Sequence, residues 1–563
     1  MASIQKYTVH GRSYWRIVES RRIDGKPRAI PLIHLGTADA LLKKLSALPD
    51  SAELVIRSYE HGGVAALVAL EAELNLKEII NRHIPKLRRG VSAGDALFLM
   101  VMNRLLSPCS KQAWSDWAET TSLFRFMPKV ELSKLSSQFF WEHMQHFTPQ
   151  ALKAIEEELL QVVIKKFNIT LDCLLLDTTN CFTYLSDGHE ENELFQYGHS
   201  KEQRNNKLLF GVSLLVCRQS KIPLLHSTYP GNKHDSKLFP ETLEDILDRL
   251  SGLNLNPSEV TLVFDRGFFS EANLLALDKK SLGFVTALRL GDIPRELYDI
   301  PRQKYRRIKR GDNSGIWFYS QSVDLWGKQF TAVFYLSESA KASQEKILND
   351  QLTRALKSLQ EWNAALVNQA GKSDSALDPI AVQKKINSLH TSPYLKEILS
   401  ISYDHTKPRE KRLAFSVNEK AKSDIILKYF GKRCLISNRS QWHPSEIIDT
   451  YFSQAYVEHA FRAAKDPSHI ALRPQFHWSD QSLRTHVFSC FLALLLGQLL
   501  LLKANKSTGQ SSLSKLLSQL ARVRLTSVIQ NSSVPKPLWK LETLSAKQET
   551  LLSALGVPID ISA

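Results

Sequence analysis

The chain lacks most of the devices that staple small secreted or metal-bound folds. Its six cysteines, at 109, 173, 181, 217, 434 and 490, include no Cys-x-x-Cys pair. That argues against a zinc ribbon or a disulfide framework and fits a reducing compartment. The N-terminus, Met-Ala-Ser-Ile-Gln-Lys, has no apolar signal core, so secretion is not expected. No apolar run reaches the ~20 residues of a membrane span. The best candidate, Val487 to Leu502, is shorter and is interrupted by Ser489 and Gln498, which reads as a buried core helix. Internal repeats are missing too. Acid is also scarce relative to base: 57 Asp and Glu stand against 73 Lys and Arg, a net charge of +16. Such a surplus suggests a polyanionic partner, because Lys and Arg gain by displacing counterions from phosphates. A merely basic protein would show the same number.

What remains is ordinary in composition. The chain has 563 residues, 43% apolar and 23% charged, enough for roughly three or four soluble domains. Residues 1–55 read as a small N-terminal β-hairpin region, with alternating runs on either side of Asp24-Gly25. Residues 56–168 turn helical. Ser92 is expected to cap one helix, and Pro149 to open another that ends near Phe167. A basic turn, Lys86-Leu87-Arg88-Arg89, lies among these helices, so this is the expected DNA-binding region. No sharp helix-turn-helix signature marks it.

From 169 to 294 apolar strands dominate. Leu174-Leu175-Leu176 leads into Asp177, strands follow at about 208–217 and 222–228, and Val260 to Phe264 delivers Asp265. A helix precedes that fourth strand, and another separates it from a fifth at 284–288. Three strands, a helix, a strand, a helix and a strand imply α/β architecture with a mixed sheet. Residues 295–440 read as an insertion, with strand-like runs at 315–320, 330–335 and 433–437 and a charged helical stretch over about 340–367. Residues 441–505 return to the α/β domain, and 506–563 form a helical tail.

The returning segment holds Tyr451 to Lys465, which has no Gly or Pro. Read as one helix, it sets Tyr451, Gln454, Glu458, Arg462 and Lys465 on a single polar stripe, at steps of three and four. Alone, that stripe is a solvated face with Glu-to-Arg support. Alone, Asp177 or Asp265 is equally a cap or turn residue. Together the three carboxylates supply hard oxygen ligands suited to Mg²⁺. Two such ions about 4 Å apart would serve phosphoryl transfer. Lys201, Arg204, Lys207, Lys233, Arg266 and Lys465 are the cations expected to offset phosphate charge around them.

In this arrangement the chain resembles the DDE transposases of bacterial insertion sequences, in the branch with a Tyr-x2-Arg-x3-Glu-x6-Lys catalytic helix. Here the helix reads Tyr451-x2-Gln454-x3-Glu458-x6-Lys465. The likeness extends to Gly198-His199-Ser200-Lys201, Pro230-Gly231-Asn232-Lys233-His234-Asp235, Phe264-Asp265-Arg266-Gly267, Arg473-Pro474 and His486-Val487-Phe488, spanning about 170–505. It implies a ribonuclease-H-like core (169–294 and 441–505) interrupted by a largely β insertion domain. It implies Asp177, Asp265 and Glu458 as the catalytic, metal-binding triad, with Mg²⁺ or Mn²⁺, two ions in all. The implied activity is hydrolysis at the ends of an insertion sequence followed by strand transfer. The implied partners are double-stranded DNA, both terminal repeats and target, and a second copy in a synaptic homodimer. No membrane is implied, and the setting is a prokaryotic cytoplasm. Tyr451 and Lys465 match positions that contact DNA backbone. Gln454 replaces the family Arg and lacks its charge and bidentate fork; Arg462, one turn beyond Glu458, offers partial compensation.

Other features have plainer readings. Trp317 and Trp326 are expected in core packing, and the histidines at 189, 199, 226 and 234 in hydrogen-bonding or surface roles. The basic run 302–310 leans toward DNA. Two further functions share the fold: a catalytically inactive, repurposed DNA-binding relative, and a nuclease using only water as nucleophile.

Overall fold

The structure, a computed structural model, describes residues 2–23, 26–46, 54–85, 90–185, 192–202, 206–253, 255–309, 315–368, 379–530 and 537–560. Arg204, His189, the Asp24-Gly25 pair and the 86–89 basic turn lie outside the described residues. The chain divides into two compact units: residues 1–78, 86–143 and 496–563 form one, and residues 79–85 and 144–495 the other.

The second unit is built on a ten-stranded mixed sheet. Its strands are β1 (Cys173–Phe182), β2 (Gln196–Tyr197), β3 (Leu208–Cys217), β4 (Pro223–Pro230), β5 (Thr261–Phe264) and β6 (Gly283–Ala287). They continue with β7 (Arg306–Lys309), β8 (Gly315–Leu325), β9 (Lys328–Leu336) and β10 (Lys432–Ser437). The order across the sheet is β7-β8-β9-β10-β6-β5-β1-β3-β2, with β4 also on β3. β1, β3 and β4 are antiparallel neighbours, whereas β5 and β6 run parallel to β1. β3 and β5 are apolar almost without interruption, β1 is apolar on either side of Asp177-Thr178-Thr179-Asn180, and all three are nearly all buried, as expected of strands covered on both faces.

Five helices bear on the site: α1 (Pro149–Phe167), α2 (Asp235–Gly252), α3 (Glu271–Lys279), α4 (Pro444–Phe452) and α5 (Ala455–Lys465). Thr148 caps α1 through its hydroxyl, with Pro149 in the first turn, where its missing N–H costs nothing. Beneath α1 and α2 lies a buried ionic cluster. Glu156 accepts from Arg249 Nη1, and its Oε1 lies 2.6 Å from His226 Nδ1.

Four expectations are corrected here. The 451–465 segment is two helices, not one, and they meet at Ser453-Gln454. Ser453 Oγ donates to the Thr450 carbonyl at 2.5 Å, and such a side-chain bond competes with the helical ladder. Asp177 does not end its strand: β1 continues to Phe182 because its antiparallel ladder with β3 runs on. Only the parallel pairing with β5 stops, at Leu176. The insertion is not largely β. After β7 to β9 it is mainly helical, over Glu338–Asn368, Pro379–Leu389, Pro393–Ile398 and Glu419–Tyr429. Leu348, Leu352, Ala355, Leu359, Trp362 and Leu366, at helical spacing, build it a core of its own. Finally, the tail after 506 is not helical throughout. Arg524–Gln530 and Leu538–Leu541 join Leu54–Glu60 in a three-stranded sheet of the first unit.

That first unit also holds the N-terminal hairpin, Arg12–Ile23 against Lys26–Gly36, widened by Ala2–Val9 into a three-stranded sheet. Ser92 caps Ala93–Leu106 as expected, accepting from the Asp95 amide. Among the described residues one helix, Asp480–Thr508, is long and apolar enough to cross a membrane by length and composition, and 78% of its most apolar stretch is buried.

Candidate active site

The site begins with strand register. β1 and β5 pair in parallel from Cys173 with Thr261 to Leu176 with Phe264. Asp177 and Asp265 each follow the last paired residue, so they come next in line just beyond the end of the parallel ladder. Both carboxylates turn back onto the chain: Asp177 accepts from the Thr178 amide and Asp265 from the Arg266 amide, each at 2.7 Å. Asp265 is exposed and Asp177 half-buried.

The break between α4 and α5 distributes the returning segment over the two aspartates. α4 packs on the β5, β6, β9 and β10 side, and α5 on β1 and β3. From the end of α4, Tyr451 donates its hydroxyl to Asp265 Oδ1 at 3.3 Å. Burial raises the Tyr451 phenol well above its usual range, the Asp265 charge raises it further, and Arg266 opposes only part of this. The phenol therefore stays a donor. From the junction, Gln454 turns inward, 7% exposed, and its amide donates to the Leu176 carbonyl at 3.5 Å. The expected solvated stripe is thus interrupted at its second member. Gln454 is spent on the backbone beside Asp177, which follows from its neutral amide tolerating burial where an Arg would not.

Glu458 and Arg462 are exposed on α5, whose Val457, Phe461 and Ala464 face the sheet. Among the described residues no three His, Cys, Asp or Glu side chains gather closely enough to hold a metal ion. Asp177 and Asp265 follow the last paired residues of neighbouring strands, Glu458 lies on the exposed face of α5, and the three do not form such a group.

The cations sit along β1. Lys201 donates to the Thr178 carbonyl at 2.7 Å and to its hydroxyl at 3.3 Å. Lys465, at the end of α5, donates to the Asn180 carbonyl at 2.9 Å and to Glu202 Oε1 at 3.0 Å. Arg473 holds the other oxygen of Glu202. Arg266 is exposed beside Asp265. Lys233, by contrast, is engaged by Glu241, and Lys207 lies over the Tyr184 ring.

Asn180 and Glu202 were not singled out from sequence. Asn180 clamps the 198–201 turn, donating to the His199 carbonyl at 2.7 Å and accepting from the Lys201 amide at 3.0 Å. Gly198 lets that turn approach the next motif, since a Cβ there would lie 2.7 Å from the Gly231 carbonyl oxygen. The only signal in the sequence was the closeness of Asn180 to Asp177; nothing local distinguishes Glu202 from a solvated Glu. The remaining candidates resolve simply. Tyr305 is buried, and Trp326 is 38% exposed. Trp317, half-buried, lies under Arg302, so neither tryptophan is in the core as expected. His199 and His234 are exposed.

Residues 185–496, more than half of the chain, match the family model of the transposase DDE domain. Asp265 and Glu458 fall inside the match and Asp177 just before it. No curated protein matches the chain. Among solved structures, that of the piggyBac transposase synaptic complex with hairpin DNA is 11% identical, over 84% of this chain and 81% of that one, with a TM-score of 0.36.

Proposed function

The chain belongs to the transposase DDE domain family, and on that premise we propose that it is the DNA transposase of a prokaryotic insertion sequence. It binds the element's ends as a dimer, hydrolyses a phosphodiester there, and directs the freed 3′ hydroxyl into target DNA. The observation that carries this reading is the parallel register of β1 and β5, which ends at Leu176 and Phe264 and leaves Asp177 and Asp265 next in line on neighbouring strands, with the Tyr451 hydroxyl on Asp265. The strand order, three antiparallel and two parallel around β1, supports a ribonuclease-H-like core.

DDE transposases usually use divalent metals, and the chemistry of the donors suits one, with the three carboxylates not gathered around a common point in this structure. Two neighbouring carboxylates, one of them exposed, suit a small hard cation that keeps several waters and takes few protein ligands. Asp177, Asp265 and Glu458 would hold it. When bound it supplies activation of the attacking oxygen and neutralisation of phosphate charge. The chain's own groups do the rest. Lys201 and Lys465 flank β1 on the phosphate path, with Lys465 held in position by Asn180 and Glu202. Tyr451 orients the Asp265 carboxylate, and Arg266 and Arg462 meet backbone phosphates from the rim.

A second reading, a DNA-binding relative without catalysis, is favoured by the three carboxylates not forming a metal-holding group and by the inward turn of Gln454. Plasmid cleavage in Mg²⁺ or Mn²⁺, comparing wild type with Glu458→Gln, decides between them. Transposition requires wild-type cutting at the element ends that falls at least ~100-fold in the variant while DNA binding persists. Equal binding with no cutting by either protein leaves the binding reading. Cutting without joining of the ends to target DNA leaves a nuclease.

A further inference from the structure

Seven residues beyond Asp177, the exit of β1 carries a patch of a kind that soluble proteins seldom leave open. Tyr184 is 53% exposed, Phe476 59% and Trp478 65%. Tyr184 and Phe476 stack nearly parallel, with centroids 5.6 Å apart and planes at 16°. Phe182 meets Tyr184 edge-on at 5.5 Å. Cations attend this row: Arg473 lies 5.9 Å from the Phe182 ring and Lys207 5.6 Å from the Tyr184 ring.

The patch is built rather than incidental. Between its exposed rings, Thr183 and Gln475 are fully buried, and the Thr183 hydroxyl donates to Gln475 Oε1 at 2.9 Å. That bond pins the 475–478 segment to the end of β1. Asn192 donates to the Trp478 carbonyl at 2.9 Å. The Asp480 carboxylate, the nearest acid on that segment, is occupied by the amides of Glu193 and Leu194. Rigid aromatic faces bordered by cations suit unstacked bases on a phosphate chain: each base offers a π-face, and the cations meet the backbone. Lys207 lies over the Tyr184 ring and Arg473, itself paired with Glu202, over Phe182, so the row is cationic as well as aromatic, which suits a phosphate chain better than an apolar protein face.

We propose that Tyr184, Phe476 and Trp478, with Lys207 and Arg473, form a stacking platform for unpaired nucleotides of the DNA strand that leaves the Asp177–Asp265 pair. This rests on the transposase reading and extends it. At about 3.3 Å per strand residue the platform begins roughly 23 Å from Asp177. That is about seven nucleotides along a strand at the duplex rise of ~3.4 Å each. The platform therefore holds bases at most about seven nucleotides from the scissile phosphate, and it acts only on DNA that is frayed or single-stranded there.

The test is fluorescence anisotropy of labelled oligonucleotides with the full-length chain. The probes are a blunt duplex, the same duplex with a twelve-nucleotide unpaired tail, and the tail alone. Phe476→Ala with Trp478→Ala weakens binding of the tailed and single-stranded probes about tenfold or more, while the blunt duplex shifts less than twofold. Phe476→Leu, which keeps apolar bulk without a π-face, reproduces part of the loss, and Phe476→Tyr restores wild-type binding. A wild-type thermal melt in each variant confirms folding. Equal loss on all three probes, or no loss on any, overturns the platform while leaving duplex binding, and so the transposase reading, intact. Unchanged DNA binding together with a variant-dependent loss of dimer in sedimentation assigns the rings to a second copy instead and also overturns it. A wild-type chain that binds none of the probes overturns both readings.

Discussion

Single residues carry consequences that their types alone would not suggest. Glu156 is buried with Arg249, and both are nearly inaccessible. Removing one partner of such a pair leaves a charge stranded in the interior. Glu156→Ala should therefore destabilise the second unit by about 3 kcal/mol, read as a shift of the urea midpoint, with Asp245 still holding part of Arg249. An unshifted midpoint would mean that water reaches the cluster freely. His61 behaves differently. It is buried with its Nδ1 2.8 Å from the Ser122 hydroxyl. Burial, and then the nearby Arg125 charge, lower its pKa from 6.5 to about 4. Folded His61 thus refuses a proton that the unfolded chain accepts below about 6.5. Its contribution is intact above that pH and is lost as pH falls toward about 4, on the order of 3 kcal/mol in all. Wild type should lose stability between pH 7 and 5 more steeply than His61→Gln; parallel curves would refute the assignment. At the candidate carboxylates Asp177 and Asp265, position was legible in sequence, since each follows an apolar run. The inward turn of Gln454 was not, because an amide's choice between solvent and a buried carbonyl depends on what packs over it.

At the scale of elements, the central strands were legible from their apolar runs and the helix caps from Ser92 and Pro149. The break at Ser453-Gln454 was not, because the sequence there has no Gly or Pro and either residue is tolerated in a helix interior. The decision came from what the two halves pack against: α4 on the β5 side and α5 on the β1 side. In the insertion, the long helix was legible at about 340–367 and observed at Glu338–Asn368, while the later helices were missed because a largely β insertion was expected from resemblance. One contact between elements can be tested directly. β3 and β4 approach so closely that a Cβ on Gly231 would lie 2.1 Å from the Leu209 carbonyl oxygen, and Gly198 rests on that same residue. Gly231→Ala should cost about 1–3 kcal/mol by overpacking and displace the turn that carries Lys201. Thermal melting checks the first effect and weakened DNA binding the second. A variant that melts like wild type would show that the strands can part without penalty.

For the whole molecule, the charge of +16 becomes a statement about salt. If about six phosphates are neutralised, affinity for duplex DNA should fall about a thousandfold between ~50 and ~200 mM salt. Anisotropy titrations at several salt concentrations measure that slope, and a flat one would make the surplus a matter of solubility only. By itself, the sequence determined the class of fold, the places of its central strands along the chain, the basic character and the motifs that mark a transposase. Those are local or compositional properties, written in runs of residues and their spacing. Only the tertiary structure decided which of the marked residues meet. Tyr451 reaches Asp265, Gln454 the Leu176 carbonyl, and Lys465 both Asn180 and Glu202, while Glu458 remains on the exposed face of α5. Each of those meetings joins residues nearly 200 or more positions apart, so it depends on strand register and on where a helix breaks. Neither is set by any short stretch of chain; both follow from which buried faces fit together.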